Sequence, residues 1–293
     1  HVTMKQDHAM QTDQIDLPMP YGRIVVRTFR TEAPPHAIIV ISSAMGVSQN
    51  YYASFAQWLA RLWYLVITFD YRGVGLAAPE SLRGYPVDMF DWARDCEAVI
   101  DFASAKLPGV PLNWIGHSLG GQLLGLIKNR DSIRRIITVA AGSGYWLQNS
   151  WRTRRLVWWL WFVVVPIATR IAGYFPGKRL RKVGNLPRGV IEQWRRWCLN
   201  PEYMVGVEGE TVRAQYASVR SPMTSVSFTD DELMTERSIR TLHEFYAEAH
   251  VNFRRISPRE IGAQRIGHFG FFRPQFEQTL WTLVPKWLDE TLT

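Results

Sequence analysis

The stretch Leu112-Asn113-Trp114-Ile115-Gly116-His117-Ser118-Leu119-Gly120-Gly121 constrains the fold more than any other part of the chain. A short apolar run ends in Gly-x-Ser-x-Gly, and Gln122 to Lys128 follows at once with the pattern of a helix. The order is strand, sharp turn, helix. A serine on such a turn is held in a strained backbone conformation with its hydroxyl presented outward. Glycines flank it because a Cβ there would collide with the neighbouring strand and helix. The bare pattern also arises by chance in glycine-containing loops. Here the strand before it and the helix after it single out Ser118 as a nucleophile.

Around that turn, strands and helices alternate. Residues 23–28, 37–42 and 65–69 carry β-branched and aliphatic runs, while 49–62 has helical spacing with Phe55, Leu59 and Leu62 on one side. Residues 86–105 read as an amphipathic helix ended by Pro108-Gly109, and 133–140 as a buried strand. Strands at 222–228 and 251–256 and helices at 237–249 and about 276–288 complete the pattern. Such alternation predicts an α/β fold with a mainly parallel sheet. At 293 residues and 47% hydrophobic, the chain is long enough to bury a substantial core.

The alternation breaks between Trp146 and about Gln215. From Trp146 to Trp197 there are eleven Lys or Arg and one acid, Glu192, so this stretch carries +10 and the rest of the chain −2. It also holds seven of the thirteen tryptophans. That mixture fits an apolar surface with a cationic border better than a groove that tracks phosphates, which argues against nucleic acid as a partner and for contact with an anionic membrane surface. Leu156 to Ala168 is a run of thirteen apolar residues between Arg154-Arg155 and Arg170. It is shorter than the roughly twenty residues a bilayer span requires.

Two cysteines, Cys96 and Cys198, make no disulfide framework, and His1 to Met10 has no apolar leader segment. Both point to a reducing, cytoplasmic location. No histidine pair, carboxylate cluster or Gly-x-Gly-x-x-Gly suggests a metal or a bound cofactor, so a cofactor-independent chemistry is expected.

A serine hydroxyl needs an imidazole to take its proton and a carboxylate to fix that imidazole's tautomer. His268 lies in a loop beyond the last strand, bracketed by glycines. His117 adjoins the serine, but neighbours on an elbow point in different directions, so it should pack beneath the turn. His243 and His250 are placed on a helix and gain nothing from position. Asp230 and Asp231 both sit just past a strand end, where a carboxylate can reach the histidine.

Phe69-Asp70-Tyr71-Arg72-Gly73-Val74-Gly75, Gly116-His117-Ser118-Leu119-Gly120 and Gly267-His268-Phe269, in that order, resemble the α/β-hydrolases. More narrowly, they resemble bacterial hydrolases related to the serine-aminopeptidase and monoglyceride-lipase-like group. The resemblance implies an α/β-hydrolase core over 1–145 and 216–293, with a mostly helical lid inserted at 146–215. It implies a Ser118, Asp, His268 triad, and the register Asp231-Glu232-Leu233-Met234-Thr235 favours Asp231 over Asp230 as the acid. Asp70 and Arg72 are expected to brace a loop. The family pattern places the oxyanion donors at the Leu119 amide and in Ser43-Ala44-Met45-Gly46, where relatives often have His-Gly. Met45 is the donor expected there, with Ser42 or Ser43 nearby. The activity implied is hydrolysis of carboxylic esters with apolar acyl groups. An acyltransferase, thioesterase or peptidase could run on the same triad, and a hydrolase-like binding protein without catalysis is the alternative of a different class.

Overall fold

A computed structural model describes residues 9–181 and 183–291. Most of the N-terminal segment read above for a leader lies outside these residues, as does Lys182 of the basic stretch. In chain order the elements are β1 (Gln11–Met19), β2 (Gly22–Arg30), β3 (Ala37–Ser42), α1 (Ala53–Ala60), β4 (Tyr64–Asp70), α2 (Met89–Lys106), β5 (Leu112–His117), α3 (Leu119–Gln122) and β6 (Ile133–Val139). There follow α4 (Arg154–Trp159), α5 (Val165–Ala172), α6 (Arg188–Cys198), α7 (Tyr203–Glu208) and α8 (Glu210–Ala217). The chain closes with β7 (Met223–Phe228), α9 (Glu236–Phe245), β8 (Val251–Ile256) and α10 (Leu283–Asp289).

The eight strands form one sheet in the order β1-β2-β4-β3-β5-β6-β7-β8. β1 and β2 pair antiparallel, as do β2 and β4, and every other pairing is parallel. β3, β4, β5 and β7 are buried along their whole length, as central strands of a sheet covered on both faces should be, although only β3 and β4 are nearly continuous apolar runs. One core layer joins Val40, Ile67 and Trp114 to Trp92 and Val99 of α2. The other joins Ile39, Ile41 and Ile137 to Phe55 and Leu59 of α1 and Trp287 of α10. Trp92 and Trp114 are fully buried, and each removes about 200 Å² from water, on the order of 5 kcal/mol.

α2 begins with a reciprocal cap: Asp91 N donates to Asp88 Oδ1 at 3.0 Å and Asp88 N donates to Asp91 Oδ2 at 2.9 Å. Its Asp95 is paired with Arg72, whose Nε and backbone N donate to the carboxylate at 2.7 and 2.9 Å, with both partners buried. Asp70 accepts from Gln49 N, Gln49 Nε2 and Leu76 N. The two residues of the Asp-Tyr-Arg-Gly segment therefore brace loops, as the resemblance implied.

Four local features differ from the sequence reading. β1 was not expected, because Gln11–Met19 alternates polar and apolar residues weakly and gains its order from pairing with β2. The helix after Ser118 is one α turn followed by a 3₁₀ turn, Leu123–Leu126. Gly120, Gly121 and Gly125 weaken it, and the Tyr216 ring occupies the space a side chain at 125 would fill. Before α10, residues 277–282 are turns. His250 lies between α9 and β8 and not on a helix.

Among the described residues, the segment between β6 and β7 carries α4 to α8. Its later part is tied to the core: Met89 N donates to Gln193 Oε1, Tyr203 OH to Gln122 Oε1 and Tyr216 OH to the Gln122 carbonyl. The stretch 175–186 pinches shut through Phe175 and Leu186 and brings Gly184 against the backbone of Gly46. Its earlier part is different. α4, a π turn at Leu160–Val164 and α5 run on as one helix, Arg154–Ala172, and the wide turn accommodates Pro166, which lacks the N–H a regular helix would use. At 19 residues and a mean hydropathy of 1.4 it is long and apolar enough to cross a membrane, which the thirteen-residue apolar run alone was not. Only 17% of its most apolar 18-residue window is buried. Trp161 and Val165 pack inward, whereas Leu156, Trp158, Trp159, Phe162, Ile167 and Ile171 are exposed.

Candidate active site

β3 lies between β4 and β5, so the chain turns one way after β3 and arrives on its other side with β5. A crevice opens beyond the carboxyl ends of the strands at such a reversal, and this is where parallel α/β sheets hold ligands. The loop after β3 and the elbow after β5 are its two lips.

At the elbow, Ser118 has φ 51° and ψ −108°, a left-handed backbone unusual for a residue with a side chain. The surrounding structure fixes it there. Ser118 N donates to Val139 O at 2.8 Å and Gly121 N to Ser118 O at 3.0 Å. A Cβ on Gly116 would lie 2.2 Å from Gly120 O, and one on Gly120 would lie 2.2 Å from Ser42 O. The Gly-x-Ser-x-Gly pattern is thus demanded by backbone crossing backbone on both sides of the serine.

His268 Nε2 is 3.2 Å from Ser118 Oγ. Its Nδ1 is 2.9 Å from Asp231 Oδ2 and 3.2 Å from Oδ1. A carboxylate only accepts, so Nδ1 carries the proton and Nε2 turns a lone pair to the serine. Asp231 Oδ1 also accepts from Leu233 N and Met234 N at 2.8 and 2.9 Å, which fixes the orientation of the carboxylate. Ser118 is 8% exposed, and the His268 and Asp231 side chains only 3% and 1%.

Asp230 faces elsewhere. It accepts from Ile266 N at 2.9 Å and Gly267 N at 3.1 Å, and so holds the backbone just before His268. Glu232 Oε2 accepts from His268 N at 3.2 Å. Three successive acids after β7 therefore act on one loop, with only the middle one on the imidazole ring.

His117 is fully buried beneath the elbow. Its Nδ1 is 2.8 Å from Tyr52 OH and its Nε2 donates to His268 O at 2.9 Å, so the neutral ring has its proton on Nε2. Burial, with the neighbouring His268 adding to it, pushes its pKa down to about 3. Tyr52 OH in turn accepts from Ala44 N at 2.9 Å. A chain of three hydrogen bonds thus joins the loop after β3 to the loop of His268 through the floor of the site. Tyr52 gave no sign of this in the sequence, where it is one aromatic in a helical stretch, and neither did Glu232.

The same contact sorts the amides after β3. Ala44 N–H is engaged by Tyr52, whereas Met45 N–H and Leu119 N–H have no acceptor among the described residues. Ser42 Oγ is 2.6 Å from Tyr71 OH, which donates to Ser43 O at 3.1 Å, and Ser43 Oγ is buried without a partner among the described residues. His243 is remote from this cluster. It bonds Ile239 O and Thr138 Oγ1, and burial pushes its pKa down to about 4. No group of three or more His, Cys, Asp or Glu among the described residues is arranged to hold a metal ion. Cys96 and Cys198 are both free and buried.

Residues 33–188 match the family described as "Serine aminopeptidase, S33". The chain belongs to that family. Human monoglyceride lipase is 30% identical over 97 residues, 33% of this family member and 31% of the lipase, so the match spans about a third of the length of that curated relative. A soluble variant of the Saccharomyces cerevisiae monoglyceride lipase, solved with a substrate analogue, superposes with a TM-score of 0.64 at 14% identity over 99% of this chain and 98% of that one. A carboxyl esterase from Bacillus coagulans, solved with glycerol, gives 0.62 at 12% identity over 95% and 99%. The fold of this family member is that of the α/β-hydrolases, and the chain is similar in part of its sequence and in its structure to monoglyceride lipases. The family match includes Ser118 and ends before Asp231 and His268, so the geometry above is what links those two residues to the serine.

Proposed function

We propose that the protein is a serine hydrolase of carboxylic esters, with Ser118 as nucleophile, His268 as general base and acid, and Asp231 as the carboxylate that orients it. The observation that carries this reading is the continuous contact from Ser118 Oγ through the His268 ring to Asp231. His268 Nε2 takes the serine proton as Oγ attacks the ester carbonyl, and the resulting oxyanion is held by the free amides of Leu119 and Met45. Collapse expels the alcohol with the proton from His268. Water then enters by the same route and releases the acid, restoring Ser118. Every step uses this chain's own groups and needs no cofactor.

Residues 146–215 are proposed as a lid over this site. A cavity of about 190 Å³ supports that role, because it lies against Gly46 and is lined on its far side by Tyr174, Lys178 and Gly184 of the insertion. An apolar acyl group is favoured because Met45 and Leu119, beside the nucleophile, are apolar and join the core layer that also takes in Trp161, Val165 and Phe175 of the insertion. The exposed apolar face and flanking arginines of Arg154–Ala172 suit peripheral contact with an anionic membrane, on the cytoplasmic side.

A panel of p-nitrophenyl esters of increasing acyl length, with an aminoacyl p-nitroanilide beside it, tests the substrate class. Turnover of the esters that improves with acyl length is expected. Cleavage of the anilide alone would replace this reading by the peptidase one that the family description also allows.

A further inference from the structure

α5 and α6 face each other across a cavity of about 270 Å³. Val165, Pro166, Thr169 and Arg170 line it from α5, and Arg188, Glu192, Arg195 and Arg196 from α6. The two sets are spaced as helix faces should be, one turn apart along each helix. Four guanidiniums and one carboxylate leave the lining at +3. Glu192 is engaged by Arg188 at 2.8 Å, and Arg195 Nε donates to Trp161 O at 2.7 Å. Arg170 and Arg196 have neither a hydrogen bond nor an acidic partner among the described residues.

Thr169 makes this more than a basic surface. It is 2% exposed, lines the cavity, and its hydroxyl has no hydrogen-bond partner among the described residues. A buried hydroxyl without a partner is costly, and here a ligand oxygen would complete it. Guanidinium forks match the oxygens of a phosphate, and Val165 and Pro166 offer apolar wall to whatever carries it. The outer face of α5, with Ile167 and Ile171 exposed, continues from the rim.

We infer that this cavity binds a phosphate group, through Arg170, Arg196 and the Thr169 hydroxyl, with Arg188 and Arg195 completing the positive lining. The site is separate from Ser118 and does not depend on the hydrolase reading. A phospholipid headgroup and free phosphate share this chemistry, and the exposed apolar face beside the cavity favours the lipid.

The full chain is titrated with inorganic phosphate at constant ionic strength, and co-sedimented with vesicles of phosphatidylcholine alone, with phosphatidic acid, or with oleate at matched charge. Three variants accompany it: Arg170→Gln/Arg196→Gln, the charge-neutral Thr169→Val, and Arg152→Gln/Arg179→Gln, which removes the same charge outside the cavity. Preferential binding to phosphatidic acid vesicles is expected, weakened about tenfold or more in the first variant, severalfold in the second and little in the third. Saturable binding of inorganic phosphate with the same variant pattern, and no vesicle preference, would support the site and assign it to free phosphate. Equal losses in the two arginine pairs, or equal binding to phosphatidic acid and oleate vesicles with no phosphate binding, would overturn it.

Discussion

Replacing Asp231 with Asn leaves the shape of the side chain and changes what it offers His268. The Asn Oδ1 can still accept from Leu233 N and Met234 N, which take Asp231 Oδ1 at 2.8 and 2.9 Å. The amide nitrogen must then occupy the Oδ2 position, 2.9 Å from His268 Nδ1, where a donor would face a donor. The imidazole relieves this by moving its proton to Nε2, and Nε2–H cannot take the proton of Ser118. The cost in turnover should be on the order of 10⁴, about 5.5 kcal/mol of transition-state stabilisation, as for the equivalent change in a serine-protease triad. Asp230→Asn removes only an acceptor for the amides of Ile266 and Gly267. It should cost about 1–2 kcal/mol of stability and no more than about tenfold in turnover. Parallel kcat/KM values on one p-nitrophenyl ester, with melting temperatures to confirm folding, separate the two. A large loss confined to Asp230→Asn would refute the assignment of Asp231.

Tyr52→Phe should leave Ala44 N–H and His117 Nδ1 unpaired in the floor of the site, costing about 1–3 kcal/mol of stability and lowering kcat more than it raises KM. Unchanged kcat would show that the buried chain does not position the catalytic loops. His117 and His243 are held neutral by burial, with pKa values near 3 and 4 against 6.5 when unfolded. The unfolded chain therefore binds protons below pH 6.5 that the folded one refuses, and these two groups withdraw stability as pH falls, about 2 kcal/mol each by pH 5. Their imidazole NMR signals should stay at the neutral position through pH 5, and titration near 6.5 would contradict the burial argument.

What was legible in the sequence was what local pattern decides. Gly116 and Gly120 mark a crossing of backbones that only glycine permits, and the buried strands β3 and β4 announce themselves as nearly unbroken apolar runs. His268 could be singled out because it follows the last strand. The choice between Asp230 and Asp231 could not be made from spacing alone. Both follow β7, and what distinguishes them is which backbone amides each carboxylate meets in a loop 36 or 37 residues away. The bonds of Tyr52 and His117 were hidden for the same reason, since they join the connection after β3, the end of β5 and the loop of His268. β1 was missed because a polar edge strand owes its order to its neighbour. The length of the Arg154–Ala172 helix was missed because the flanking arginines read as its boundaries, while the helix takes them in at both ends.

Labelling with a fluorophosphonate tests the central claim most directly, because the probe reacts only with a serine whose proton has somewhere to go. The wild-type chain should be modified once, at Ser118, by mass spectrometry of its peptides. Ser118→Ala should stay folded and unlabelled, and Asp231→Asn should label far more slowly than Asp230→Asn. Equal labelling of the wild type and Ser118→Ala, or none of a folded wild type, would contradict the assignment of Ser118 as the nucleophile.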